Sequence, residues 1–429
     1  MTRRSMTNTD GPLRALSSRT SWHYLLAAAL LLCFANGRWI VPAAAWLAPA
    51  FLLLFLFSQP AGRGLLLGFG VQLISFFIAW RGMIPVPGPW YFVVAGVYAS
   101  AYFLPFVVYR LLVPRPAGFV TTLLLPVSWV VIEFLFQRFI TPYGSWMSLA
   151  YTQTGNLPFL QLAALTGLGG ITFMMVWGAA VAAWVWMERA NAARARLGAV
   201  IYVSILLAIM AWGALRIVAV RGDGESIRIA MIIPSPSRTR ELNEAMRALP
   251  ASGAADDADR SNILAIADGL NADLLRRSRT EARTGSKIIG WSETAARVTA
   301  GSESDFMREA GELAEELDVT LVMGVGAWRP GEQYAFENEV VVARSSGEIL
   351  APFRKAHPIA GQESSLIEAG DHTIKVFDTA YGRCAAAICH DLDFPDLIRA
   401  AGRRRVTLLF GPSADWPEIT HMHARMAIV

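Results

Sequence analysis

The 429-residue chain is 54% hydrophobic and only 17% charged, which excludes a disordered chain, a coiled coil and an ordinary water-soluble enzyme. Its charge is divided: residues 1–221 carry 15 Arg, no Lys and three acids (Asp10, Glu133, Glu188), net +12, whereas residues 222–429 are net −8. The overall +4 is therefore a sum of unlike halves and no sign of a nucleic-acid partner, and three cysteines (Cys33, Cys384, Cys389) imply no disulfide framework.

A bilayer-spanning helix needs about 20 mostly apolar residues. Seven segments of residues 1–221 qualify: roughly 22–36, 39–57, 64–80, 90–112, 119–136, 162–187 and 198–220. The first is short, but the chain runs at once into a second span, so it reads as retained and not as a signal peptide. With the N-terminus inside, the inner segments hold ten arginines (Arg3, Arg4, Arg14, Arg19, Arg63, Arg110, Arg115, Arg189, Arg194, Arg196) and the outer loops three (Arg38, Arg81, Arg138). That bias orients the chain, and seven spans then place residues 222–429 outside, in the periplasm of a bacterium with two membranes. Glu133, the only acid within a span, reads as an interfacial or Arg-paired carboxylate in preference to a substrate-binding one. Trp80, Trp90, Trp129 and Trp146 fall near span ends and read as interfacial anchors. Gly167, Gly169 and Gly170 read as sites of close helix packing.

From residue 226 short β-branched runs alternate with amphipathic helices, the pattern of an α/β domain. Strands are predicted at Ser226–Ile233, Lys287–Trp291, Val319–Val325, Glu339–Arg344, Ile374–Asp378, Cys384–Cys389 and Val406–Phe410, and helices at about 259–278, 303–318 and 394–403. The stretch 234–258, rich in Pro, Ser, Ala and Asp, reads as a surface loop. No metal-ligand spacing is present, since His421 and His423 stand two apart, and there is no phosphate-binding glycine loop.

Three polar residues close apolar strands: Glu293 after Ile288-Ile289-Gly290-Trp291-Ser292, Lys355 in Phe353-Arg354-Lys355, and Cys389 after Ala385-Ala386-Ala387-Ile388. Functional groups of α/β sheets gather where strands end. A thiolate is a strong nucleophile, a carboxylate can take and return its proton, and an ammonium can hold an oxyanion. Together they support acyl transfer through a thioester. Each residue alone also suits a plain structural place. Lysine is scarce, however, with only Lys287, Lys355 and Lys375 in the chain, so one kept here suggests work that Arg cannot do.

Trp291-Ser292-Glu293-Thr294, then Phe353-Arg354-Lys355, then Ile388-Cys389-His390-Asp391 with Phe394-Pro395, resembles the ordered Glu-Lys-Cys pattern of the nitrilase (carbon–nitrogen hydrolase) superfamily. Preceded by many spans, and by Ser128-Trp129-Val130-Val131-Ile132-Glu133, Tyr143-Gly144-Ser145-Trp146 and Leu157-Pro158-Phe159-Leu160-Gln161-Leu162-Ala163, it is similar to the apolipoprotein N-acyltransferases. The resemblance implies a polytopic α-helical membrane domain (1–221) followed by an α/β nitrilase-like αββα sandwich (222–429). It implies Glu293 as general base, Lys355 as oxyanion donor and Cys389 as nucleophile, with Asn338, Glu363, Asp391 and His390 supporting them. It also implies a membrane phospholipid as acyl donor and a diacylglyceryl apolipoprotein as acceptor, with no metal, cofactor or nucleic acid.

The chain departs from the pattern at His390, where Tyr is usual, and in the loop His357-Pro358-Ile359-Ala360-Gly361-Gln362-Glu363. The family would also continue past Val429 into further strands and a last membrane helix, so the domain reads as truncated. Rival readings are a membrane-tethered amidase or nitrilase, which the same triad suits, and an inactive relative that only binds lipoprotein. A transporter suits spans with almost no charge poorly.

Overall fold

The computed structural model describes residues 18–113, 117–220, 226–248, 257–329 and 333–429. Two compact units are present: Met1–Gly222 together with Pro417–Val429, and Asp223–Trp416.

The first unit is helical. Its helices are α1 (Ser18–Ala35), α2 (Pro42–Ser58), α3 (Ala61–Ala79), α4 (Trp90–Leu112), α5 (Leu124–Phe139), the single turn α6 (Leu157–Leu160), α7 (Ala163–Met187) and α8 (Ala192–Ala219), together with the helix Thr420–Ile428. Every predicted span coincides with an apolar helix. Five helical segments are long and apolar enough to cross a membrane (Phe119–Phe139 includes a 3-10 turn before α5), and the apolar helices Ser21–Ala35 and Pro42–Ser58 are shorter. Leu66, Ile74, Phe139, Leu207 and Leu215 are exposed, an arrangement suited to a lipid solvent and not to water. Small residues Ala44, Ala45 and Ala48 of α2 are buried where it packs on its neighbours.

Three expectations for this unit are corrected. Glu133 is buried and accepts a hydrogen bond from Gln137 Nε2 at 3.1 Å, and no ion pair with an arginine is seen for it among the described residues. Trp80, Trp129 and Trp146 are buried and only Trp90, 65% exposed, stands at a surface. Trp80 stacks on Phe76 and Trp146 on Tyr143, so packing and not interfacial anchoring places them. Gly167 packs against nothing; it has φ +63 and breaks the helical dihedrals inside α7, a backbone state that favours glycine. Gly169 does face Val130 of α5 closely.

The second unit is an α/β sandwich. It contains β1 (Arg228–Ile232), α9 (Pro236–Ala248), α10 (Asp257–Arg283), β2 (Ser286–Trp291), β3 (Ala296–Thr299), α11 (Glu303–Glu316), β4 (Thr320–Trp328), β5 (Phe336–Ala343), β6 (Phe353–Arg354), β7 (Val376–Thr379), β8 (Gly382–Ala386), α12 (Pro395–Arg403) and β9 (Leu408–Phe410). One sheet runs β1-β2-β4-β5-β6 with β3 also on β4, and a second runs β7-β8-β9. Strands β1, β2 and β4 are parallel, and β5 and β6 continue antiparallel. Leu270 and Leu274 of α10 and Phe306 and Leu313 of α11 cover one face of the larger sheet over Ile289, Leu321, Met323 and Val341. Its other face, through Ile288, Val322, Val340 and Val342, packs on Phe377, Cys384, Ala385 and Phe410 of the smaller sheet. Alternating side chains thus serve two cores, which is why these strands read as almost wholly apolar.

The surface loop expected over 234–258 is corrected for its first part. Residues 236–248 form α9, which Pro236 starts and whose Leu242 is buried against Ile263 and Ile266 of α10; residues 249–256 lie outside those described. Strand β3 had no clear sequence signal, since it is four residues long with Arg297 in the middle. Strand β8 ends at Ala386, short of the expected Cys389.

Candidate active site

The chain leaves β2 at Trp291, whose indole Nε1 donates to Ser278 Oγ in the interior. It breaks at Ser292-Glu293-Thr294, with Thr294 at φ +48, and rejoins the same neighbour as β3. Glu293 therefore lies in the gap between two pairings along one edge of β4. Gly324 occupies that gap on β4, and a Cβ there would come within 2.0 Å of Ser292 O and 3.1 Å of Glu293 Cα.

Lys355 follows β6 and is fully buried. Its backbone is fixed on both sides, with its N–H donating to Asn338 O (2.8 Å) and its carbonyl accepting from Gly370 N (2.9 Å). Cys389 opens a 3-10 turn (Cys389–Asp393) directly after Ile388, with φ +47. This left-handed state is uncommon for a residue with a side chain and is met at strained functional turns. Its N–H donates to Pro412 O at 2.8 Å.

The structure brings the three together. Lys355 Nζ donates to Glu293 Oε1 at 2.8 Å and to Glu363 Oε2 at 2.7 Å. Asn338 Nδ2 donates to Glu293 Oε1 (2.7 Å) and Ala414 N to Glu293 Oε2 (3.0 Å). The Cys389 thiol donates to Asp415 Oδ1 at 3.8 Å. Glu363 is held in turn by Ile359 N at 2.8 Å.

Asp391 is fully buried and ties the Cys389 turn to the Lys355 strand. Its carboxylate accepts from Ile388 N (3.1 Å), Ala356 N (3.3 Å) and His357 N (2.7 Å), and His357 Nδ1 lies 3.0 Å away. The unusual His357 is thus part of this clamp. The equally unusual His390 sits with Nδ1 2.7 Å from buried Asp393 and its ring edge-on to Phe394, whose other contact is the stacked His357 ring. Sequence reasoning missed Ala414 and Asp415. Their signal was available, since they directly follow the predicted strand Val406–Phe410 and strand ends collect functional groups.

Burial pushes the Glu293 carboxyl up, but the Lys355 charge and the hydrogen bonds from Lys355 and Asn338 outweigh it and hold the group below its ordinary value. Burial opposes the Lys355 charge too, yet Glu293, Cys389 and Glu363 raise its pKa above the ordinary value. Burial first, and then the Glu293 charge, push the Cys389 thiol well up against the pull of Lys355. Burial and the neighbouring carboxylate thus favour the thiol form of Cys389 over its thiolate. Because Glu293 is lowered on folding, its stabilising contribution is complete above about pH 4.3, the unfolded value, and fades as pH falls through the lower folded one. Melting temperatures should therefore drop between neutral pH and pH 3, and the Glu293→Gln variant should show a shallower drop; an equal pH slope in both would contradict this.

The α/β sandwich carrying this Glu-Lys-Cys arrangement is matched over residues 282–427 by the model of the family described as "Carbon-nitrogen hydrolase". A second model, "Apolipoprotein N-acyltransferase N-terminal domain", matches residues 26–181. An apolipoprotein N-acyltransferase of Geobacter metallireducens is 26% identical over 311 residues, 68% of this chain and 56% of that protein. An N-carbamoylputrescine amidase of Solanum tuberosum is 33% identical over 105 residues, 24% of this chain and 34% of that one. A solved amidase from Nesterenkonia sp. AN1 is 17% identical, with a TM-score of 0.35 over 47% of this chain and 71% of that chain. Two separate regions of the chain are thus similar to the N-terminal domain of the apolipoprotein N-acyltransferases and to the carbon–nitrogen hydrolases. The chain spans about half the length of the first of these relatives.

Proposed function

We propose that this is a multi-pass membrane acyltransferase that moves a fatty acyl chain from a membrane phospholipid to the N-terminal amine of a diacylglyceryl-cysteine apolipoprotein. The observation that carries the reading is the single buried cluster of Glu293, Lys355 and Cys389 in a chain whose other half is apolar helices. Glu293 takes the Cys389 proton as sulfur attacks the phospholipid ester. Lys355 holds the developing oxyanion, and Asn338 and Glu363 fix the two charged groups. Lysophospholipid leaves with the proton from Glu293, and the thioester is then attacked by the lipoprotein amine. The arginine bias supports a periplasmic catalytic unit in the inner membrane, where both lipid substrates meet it.

The test is incubation with radiolabelled phospholipid, with hydroxylamine-labile label on the protein as the expected result. Cys389→Ser should lose that label by at least about 1000-fold while melting as the wild type does. Label of equal size and lability on the Ser variant would reject the thioester. The likeness to amidases gives the second reading its support, with water as the second nucleophile. Ammonia release from small amides, without transfer to a lipopeptide amine, would favour it.

A further inference from the structure

We infer that Arg297 holds the phosphate of the phospholipid donor while Cys389 attacks its ester. This rests on the acyl-transfer reading above and adds to it the residue that tells the donor from lipids without a phosphate.

Arg297 is the polar member of the four-residue strand β3. Its neighbours Ala296 and Val298 enter the helix-covered core together with Val325 and Ala327 of β4, so Arg297 between them faces the other way. It pairs in register with Gly326 of β4, which pairs with Asn338 of β5. Residues paired across a sheet share a face, and Asn338 Nδ2 donates to Glu293 Oε1 at 2.7 Å. Arg297 thus stands on the Glu293 side of the larger sheet, where the Glu293 charge reaches it. Gly326 leaves the room for it: a Cβ there would come within 2.4 Å of Phe336 Cζ and 3.2 Å of Arg297 Nη1. The guanidinium lies over the Phe336 ring, 5.8 Å from its centroid.

This cation lacks a counter-charge. A guanidinium has five N–H donors, yet among the described residues Arg297 forms no ion pair, and its side chain donates just one hydrogen bond, from Nη1 to Ala296 O at 3.4 Å. By contrast Arg329, just past the end of β4, meets Glu303 at 2.6 Å and Glu337 at 2.8 Å. Burial lowers the Arg297 pKa to about 10, against the pull of Glu293. A dehydrated charge without a partner is costly, and a bound anion offsets that cost. The fork of an arginine matches two oxygens of a phosphate. Of the two substrates the donor brings a phosphate; the diacylglyceryl-cysteine acceptor has none. The surroundings favour a lipid phosphate over a free one. Arg297 borders an apolar cleft lined by Leu242 of α9, Ile263 of α10, Val298 and Trp328, so apolar surface lies beside the single cation as acyl chains lie beside the single phosphate of the donor.

The full chain in detergent is charged with radiolabelled phosphatidylglycerol, or with diacylglycerol of the same acyl chains. The wild type is expected to charge faster from phosphatidylglycerol. Arg297→Met should cut that preference at least about 10-fold, the effect of losing a hydrogen bond to a charged group, chiefly by raising the phospholipid concentration needed for half-maximal charging. Arg297→Lys, which keeps the charge and loses the fork, should retain part of the preference. An unchanged preference in Arg297→Met would overturn the inference. Equal slowing with both donors would also overturn it, since a merely structural role acts on both alike. So would a wild type that uses both donors equally, or inorganic phosphate that alters charging from diacylglycerol as much as from phosphatidylglycerol, which would place a free anion there instead. If Arg297→Met does not melt cooperatively, Arg297→Gln takes the same measurements. A wild-type protein that takes label from neither donor sinks the acyl-transfer reading itself and is distinct from all of these results.

Discussion

Lys355→Met is expected to lower stability by about 3–5 kcal/mol, the cost of breaking a buried ion pair by removing one partner, and to abolish thioester labelling. Lys355 is fully buried between Glu293 and Glu363, at 2.8 and 2.7 Å. Without the ammonium, two carboxylates face each other with no cation between them, and one must take up a proton or the segment must open. Denaturant unfolding read beside phospholipid labelling checks both parts. Lys355→Arg should not restore labelling, because a forked guanidinium cannot place one compact donor toward both acids and an oxyanion. A Met variant with wild-type stability would show that the cation is not the link between its two neighbours.

Gly324→Ala is expected to reduce labelling by about 100-fold while changing the helical content little. The added Cβ would lie 2.0 Å from Ser292 O and 3.1 Å from Glu293 Cα, both backbone atoms that no rotamer change can move. The strand break carrying Glu293 must shift, and a displacement of about 1 Å in a reacting group can cost about 100-fold in rate. The overpacking itself costs about 1–3 kcal/mol, so the variant should still fold. Label formation at the wild-type rate would show that Glu293 does not depend on this close approach. By contrast, no such effect is expected for Gly301, whose Cβ would meet only Thr299 Oγ1 at 4.0 Å.

The amino-acid sequence alone determined the division into an apolar, arginine-marked half and an acidic α/β half. It located the seven apolar helices, and it singled out Glu293, Lys355 and Cys389, because hydropathy, strand period and the residue types at strand ends are local properties. Asn338 and Glu363 were reached through the family resemblance, and both contact the triad. What only the tertiary structure decided are matters of distance between remote segments. Glu133 meets Gln137 and not an arginine, Trp80, Trp129 and Trp146 turn inward, and Gly167 serves a kink and not a contact. The helix over 236–248 is held by burial of Leu242 on α10, which its polar composition did not reveal. Asp391 spans two loops 35 residues apart, and Asp415 reaches Cys389 across 26 residues. A carboxylate in the sequence is only a charge; which thiol or amide it faces is fixed when the two sheets close on a shared core, since packing and not propensity sets those separations.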